Sequence, residues 1–91
     1  MGITAVKIKI MPTSPEVELK TIEITAKSLI EKKGGKNCKF EEEPIAFGLK
    51  AVIVYFVWPE EIELEALENE LKAIEDVSSV QVIDMRRVFG S

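Results

Sequence analysis

Apolar and polar residues follow regular spacings in six successive segments of the chain. The first segment alternates apolar and charged residues from Val6 to Ile10, which is the period of a strand with one buried face. The segment after it repeats apolar residues at spacings of three and four, which predicts an amphipathic helix. The predicted elements are a strand over 6–10, a helix from Ser14 to Gly34, strands over 36–43 and 48–58, a helix over 61–75 and a strand over 78–87.

Prolines and glycines mark where several of these elements begin and end. Pro12 ends the first strand, because proline donates no hydrogen bond to a ladder. Ser14 and Pro15 predict the start of the first helix, as a capping residue followed by proline at the first helical position. Gly34 and Gly35 stop that helix. Residues 48–58 are continuously β-branched and aromatic, which predicts a central strand.

The order of the elements predicts the fold. A strand–helix–strand–strand–helix–strand order with right-handed crossovers gives a four-stranded antiparallel sheet with both helices on one face. This is the ferredoxin-like α+β sandwich. A chain of 91 residues without a linker or low-complexity tract is expected to form one domain over residues 1–91.

Composition removes most catalytic chemistry from consideration. The chain has no histidine and one cysteine, which excludes a Ser-His or Cys-His nucleophile pair and argues against a zinc site. It has no glycine-rich phosphate loop, so no cofactor is expected. A net charge of −4 argues against direct binding to nucleic acid. Without a membrane-length apolar run or a signal-like start, the expected location is the cytoplasm, away from membranes.

Three side chains of the predicted strand over 36–43 are candidates for chemistry or for the core. Glu41 and Glu43 share one strand face, where they would bind a cation, act as acid and base, or simply be solvated. Cys38 is predicted to be a core residue, because free cysteine is among the most buried residue types.

The connection between the two middle strands is unusually apolar. Ile45 and Phe47 are interleaved with Pro44 and Gly48 where a polar surface turn is expected. Phe47 is either an anchor for a pocket on a partner or a lid folded over the sheet edge, and the pattern leaves both open.

Two adjacent arginines, Arg86 and Arg87, lie near the end of the chain. Guanidinium groups there would reach phosphates or carboxylates of a partner, or serve only as a solubilising tail.

Three segments together resemble a known family. EEEPIAFGLKA at residues 41–51, KIMPTSPEV at residues 9–17 and VIDMRR at residues 82–87 are similar to segments of the archaeal elongation factor 1-beta family of guanine nucleotide exchange factors. The resemblance covers residues 3–88 and is most specific in the first of these segments. It implies a ferredoxin-like fold. It also implies that the partner is elongation factor 1-alpha, a GTPase bound in its GDP-bound and nucleotide-free states.

The resemblance also implies roles for individual residues. Phe47 matches an aromatic side chain that enters a pocket of the GTPase in eukaryotic relatives, and the flanking Pro44, Ile45 and Gly48 belong to the same motif. Arg87, which follows Arg86, matches a near-terminal lysine that enters the magnesium site in those relatives. The chain departs from the family here, since arginine replaces lysine and is not its equivalent. Phe47 and Arg87 are expected to lie near each other on the sheet.

Other function classes remain as alternatives to nucleotide exchange. A ferredoxin-like regulatory or assembly module would bind a small ligand or self-associate through its sheet. A hydrolase of the acylphosphatase type shares the predicted topology but needs an arginine in an early phosphate-binding loop. The first arginine of this chain is Arg86, which argues against that hydrolase.

Overall fold

The computed structural model describes residues 2–89, so Met1, Gly90 and Ser91 of the predicted domain lie outside the described residues. The six predicted elements are present in the predicted order. They are β1 (Ile3–Pro12), α1 (Leu19–Lys32), β2 (Lys36–Pro44), β3 (Lys50–Pro59), α2 (Glu65–Lys72) and β4 (Val77–Phe89).

The strands form one antiparallel sheet in the order β2-β3-β1-β4. β3 lies between β2 and β1, which confirms the prediction of a central strand. β1 alternates buried and half-buried residues along its length, as its sequence pattern predicted. The open order, with each helix connecting two non-adjacent strands, is the ferredoxin-like α+β arrangement.

One hydrophobic core joins the sheet to both helices. The helices contribute the buried side chains of Ile22, Ala26, Ile30, Leu67 and Leu71. They pack on the alternate strand residues Val6, Ile8, Ile10, Val52, Val54, Phe56 and Trp58. Both helices therefore cover the same face of the sheet. No helix within residues 2–89 has the length and apolar character needed to cross a bilayer.

The predicted start of the first helix is wrong, because α1 begins at Leu19 rather than at Ser14. Ser14 instead opens a turn, in which its carbonyl accepts a hydrogen bond from Val17 N–H at 3.3 Å. Thr13 N–H donates to the Asp76 carbonyl at 2.9 Å, so the chain is still held at the end of the sheet there. The following residues must carry it from the sheet to the helical layer before a helix can begin.

The second helix is shorter than the predicted 61–75. The indole Nε1 of Trp58 donates to the Ile62 carbonyl at 2.8 Å, and Ile62 N–H donates to the Pro59 carbonyl at 3.2 Å. These bonds hold the segment after β3 as a turn, so α2 begins only at Glu65.

The glycine stop of the first helix is confirmed. Gly34 has a φ of +115°, and its N–H donates to the Glu31 carbonyl at 3.2 Å. Gly35 N–H donates to the Ile30 carbonyl at 2.8 Å. This pair of bonds is a Schellman motif, which uses the last carbonyl groups of the helix and turns the chain toward β2.

Cys38 packs against the core but is only partly buried, so it lies at the edge of the core rather than inside it as predicted. Burial raises the pKa of its thiol above the ordinary value; the Glu31 carboxylate raises it further, and Lys27 opposes the shift. The thiol is therefore mainly protonated at neutral pH. Because the folded state holds the thiol proton more tightly than the unfolded state, this raised pKa contributes to the free energy of unfolding. The contribution is fully present below about pH 8.5, the ordinary pKa of a free thiol, and is lost as pH rises through the folded-state pKa.

We expect the folded protein to react with iodoacetamide at pH 7.5 several-fold more slowly than the same chain in urea, because the thiolate is the reacting form. The rate is measured by mass spectrometry, and Cys38→Ser is the control for reaction elsewhere. Equal rates in the folded and unfolded states would contradict this prediction.

Candidate partner-binding surfaces

The connection between β2 and β3 is a tight hairpin with Phe47 at its tip. Ile45 N–H donates to the Leu49 carbonyl at 2.8 Å, and Leu49 N–H donates to the Ala46 carbonyl at 3.0 Å. The two central residues both have positive φ, +56° at Phe47 and +79° at Gly48. Positive φ at both central positions is the signature of a type I′ turn, whose twist matches that of antiparallel strands.

The hairpin holds the side chain of Phe47 in solvent, where it is 96% exposed. The interpretation of Phe47 as a lid over the sheet edge is therefore wrong. Ile45 is also exposed, at 39%, and Pro44 is the last residue of β2, opposite Lys50. An apolar surface of three neighbouring side chains is thus displayed at one end of the molecule.

The conformation of Phe47 is unfavourable for its residue type. A left-handed backbone costs a non-glycine residue roughly 1–2 kcal/mol, and here the side chain recovers nothing through burial. The turn faces Pro15 in the turn before α1: a Cβ added to Gly48 would be in ordinary van der Waals contact with it, 3.8 Å from the Pro15 Cβ. Strained backbone positions that a fold retains cluster at binding sites.

The two arginines lie near the end of β4 and have different partners. Arg87 contacts Glu60 through two atoms, with Nε 2.6 Å from Oε2 and Nη2 2.8 Å from Oε1. Arg86 contacts Asp84 at 3.1 Å, and its side chain is 75% exposed. The Arg87 side chain is 61% exposed. Both guanidinium groups are therefore accessible to a partner.

The expectation that Arg87 lies near Phe47 is wrong. Thr4 of β1 stands opposite both Trp58 of β3 and Arg87 of β4, so Arg87 is level with the carboxyl end of β3 on the other side of β1. Phe47 precedes the start of β3 at Lys50. Eight residue steps at about 3.3 Å separate Lys50 from Trp58, so the two sites are at least about 26 Å apart along the strands. They occupy opposite ends of a molecule 44 Å long.

The two carboxylates on the outer face of β2 have neighbours within the protein. Glu41 accepts a hydrogen bond from the Tyr55 hydroxyl at 3.3 Å, and Glu43 lies 3.9 Å from the Lys9 ammonium. Within residues 2–89, acidic and cysteine side chains form no group of three that could hold a metal ion. The structure therefore favours the solvated, surface interpretation of these carboxylates.

Sequence reasoning missed Glu60. It follows the last residue of β3, in a glutamate-rich stretch that resembles an ordinary solvated surface. Its partner Arg87 is 27 residues away, and only the strand register brings the two together. No local sequence signal identifies such a contact.

Comparison with known proteins decides the family. Residues 5–88 match the EF-1 guanine nucleotide exchange domain. The chain belongs to this family. Its relatives include the elongation factor 1-beta of Methanococcus maripaludis strain C6, 40% identical over 97% of this chain and 100% of that protein. The elongation factor 1-beta of Methanosarcina acetivorans is 42% identical over 97% of this chain and 100% of its own length.

A solved structure supports the fold of this exchange domain independently of sequence. The chain superposes on BlrP1 BLUF with a TM-score of 0.57 at 14% identity, covering 99% of this chain and 57% of the other. At that identity the likeness concerns the fold alone. The functional inference for the exchange domain therefore rests on its family and on its own surfaces.

Proposed function

We propose that residues 1–91 act as one exchange domain that binds elongation factor 1-alpha and accelerates its release of GDP. The observation that carries the proposal is Phe47, whose side chain is 96% exposed on a strained turn of a well-packed sheet. An exposed aromatic side chain on a hydrogen-bonded hairpin is a typical anchor residue at a protein interface, because its large apolar surface becomes buried when it enters a pocket.

Nucleotide exchange of this kind needs no covalent chemistry. GDP is held in a GTPase by backbone donors, a lysine and Mg²⁺. A protein that binds the nucleotide-free GTPase more tightly than the GDP-bound form must weaken GDP binding by the same factor, by thermodynamic linkage. The chain would thus act as a binding partner in the cytoplasm, where the GTPase works, and no bond would be made or broken.

The separation of the two surfaces suggests how the domain engages its partner. The Phe47 end offers an apolar anchor, and the end that carries Arg86 and Arg87 offers positive charge. At a spacing of at least about 26 Å, these ends would contact two separate regions of the GTPase. We propose that Phe47 docks the domain and that Arg87 approaches the phosphate and magnesium region. The guanidinium would bind there as a planar, bidentate hydrogen-bond donor, whereas a lysine would act as a point charge.

The test is the release of fluorescent GDP from the matching elongation factor 1-alpha, chased with excess GTP. We expect saturating exchange domain to raise the release rate and to weaken GDP binding by about 5- to 150-fold, which is the usual range of coupling between two binding sites. An unrelated ferredoxin-like protein at the same concentration is the control. No acceleration by folded protein on a competent GTPase would contradict the proposal, and a stable dimer formed without the GTPase would favour the regulatory-module alternative.

A further inference from the structure

Glu60 holds the guanidinium of Arg87 in a fixed orientation. The two groups meet side by side, through contacts of 2.6 Å and 2.8 Å that use Nε and Nη2 of the arginine. A paired contact of this kind fixes the plane of the guanidinium as well as its position. Arg86 is held differently, by one contact of 3.1 Å to Asp84, two residues away on its own strand.

Glu60 is joined to the start of the described chain through its backbone, and its carboxylate lies against Gly2. Glu60 N–H donates to the Gly2 carbonyl at 2.9 Å. A Cβ added to Gly2 would lie 2.6 Å from Oε2, 2.7 Å from Cδ and 2.8 Å from Oε1 of Glu60. The carboxylate therefore rests directly against Gly2, and a side chain at that position would displace it. The hydrogen bond to Gly2 fixes the backbone of Glu60, and its side chain is 37% exposed.

The pair leaves Arg87 with donors for another anion. A guanidinium has five N–H donors, and the contacts to Glu60 use one on Nε and one on Nη2. The remaining three point away from Glu60, and the Arg87 side chain is 61% exposed. An exposed pair of this kind contributes little to stability, so its consequence is the orientation of the free donors.

We propose that Glu60 is a positioning residue for Arg87. Glu60 holds the guanidinium so that its three free donors face an anionic group of the GTPase, a phosphate or a carboxylate. This role rests on the proposed exchange function and adds to it a residue outside the family motifs quoted above. Without Glu60, Arg87 would have to be ordered after docking, when it meets the anion, and immobilising such a side chain lowers the favourable interaction.

The test is a double-mutant cycle in the GDP-release assay, with Glu60→Gln, Arg87→Ala and the double variant. We expect Glu60→Gln to lower the saturating release rate about 2- to 10-fold, the range expected when one long side chain must be ordered on binding. The half-saturating concentration should change little, because Phe47 is unaffected. Glu60→Gln should have no further effect once Arg87 is alanine. Glu61→Gln is the charge-matched control and should behave as wild type.

Two further measurements separate orientation from charge. Gly2→Ala keeps both charges but displaces the carboxylate, and should lower the saturating rate as Glu60→Gln does. The chain has two arginines, so its NMR spectrum holds two guanidinium Nε–H signals. Glu60→Gln should shift the Arg87 signal and leave that of Arg86 in place.

Several results would overturn the positioning role. They are an unchanged or raised saturating rate in Glu60→Gln, a loss that persists when Arg87 is alanine, or an unshifted Arg87 signal. Failure of the exchange function itself is distinguishable, because wild-type protein would then give no acceleration at all.

Discussion

Replacing Phe47 with alanine is expected to raise the concentration needed for half-maximal GDP release by about 30-fold or more, since truncating an anchor residue of this kind costs about 2 kcal/mol or more of binding. The side chain is 96% exposed in the free protein, so its removal takes nothing from the core. The free energy of unfolding should therefore stay within about 0.5 kcal/mol of wild type. Titration of the exchange domain against the GTPase, with urea unfolding in parallel, measures both quantities.

Ile24→Ala is the matched control for loss of an exposed apolar side chain. Ile24 lies on α1 and is 69% exposed, away from the hairpin tip. The Ile24→Ala variant should accelerate GDP release as the wild-type protein does.

The Phe47→Gly variant should lose the anchor as the alanine variant does. Its free energy of unfolding should nevertheless be about 1 kcal/mol higher than that of wild type, because glycine adopts a positive φ without strain. If both Phe47 variants needed the same concentration as wild type for half-maximal GDP release, Phe47 would not be part of the interface.

Replacing Trp58 with alanine is expected to destabilise the protein by about 3–5 kcal/mol, as is typical for a large core aromatic residue. Trp58 is 1% exposed and packs edge-to-face on Phe56, with ring centroids 5.8 Å apart. Its indole N–H also donates to the Ile62 carbonyl, which shapes the turn before α2. A loss of this size is a large part of the total stability of a small domain.

The unfolding of the Trp58 variants is followed by circular dichroism, because Trp58 is the single tryptophan. Trp58→Phe keeps most of the ring and loses the hydrogen bond, so it should cost about 1–2 kcal/mol. Equal costs for the two substitutions would show that the hydrogen bond, and not the packing, dominates. Because Trp58 is in register with Thr4 and Arg87, Trp58→Ala should also disturb the Glu60–Arg87 pair more than the Phe47 hairpin.

The two ends of this domain illustrate different uses of one sheet. At the Phe47 end, a turn with positive φ at Phe47 exposes an apolar side chain. At the other end, the residue after β3 and the last strand bring together two charges that are distant in sequence. The rigid sheet between them fixes the spacing of the two surfaces, which a flexible linker would not. A change that loosens the core should therefore weaken exchange even when both surfaces are intact.

The sequence alone determined the elements and their order. Periods of two and of three to four residues depend on local geometry, so β1, the central β3 and the buried face of α1 could be predicted directly. The family motif around Phe47 was also visible, because its residues are contiguous. The glycine stop after α1 followed from backbone conformation alone.

The tertiary structure decided what depends on contacts between distant segments. The Thr13–Asp76 bond delayed the start of α1, and the Trp58–Ile62 bond delayed that of α2. The sequence left Phe47 as either anchor or lid, because only the turn geometry fixes the direction of its side chain. Strand register placed Arg87 beside Glu60 and far from Phe47. A register is a property of paired strands, and no single segment of the sequence carries it.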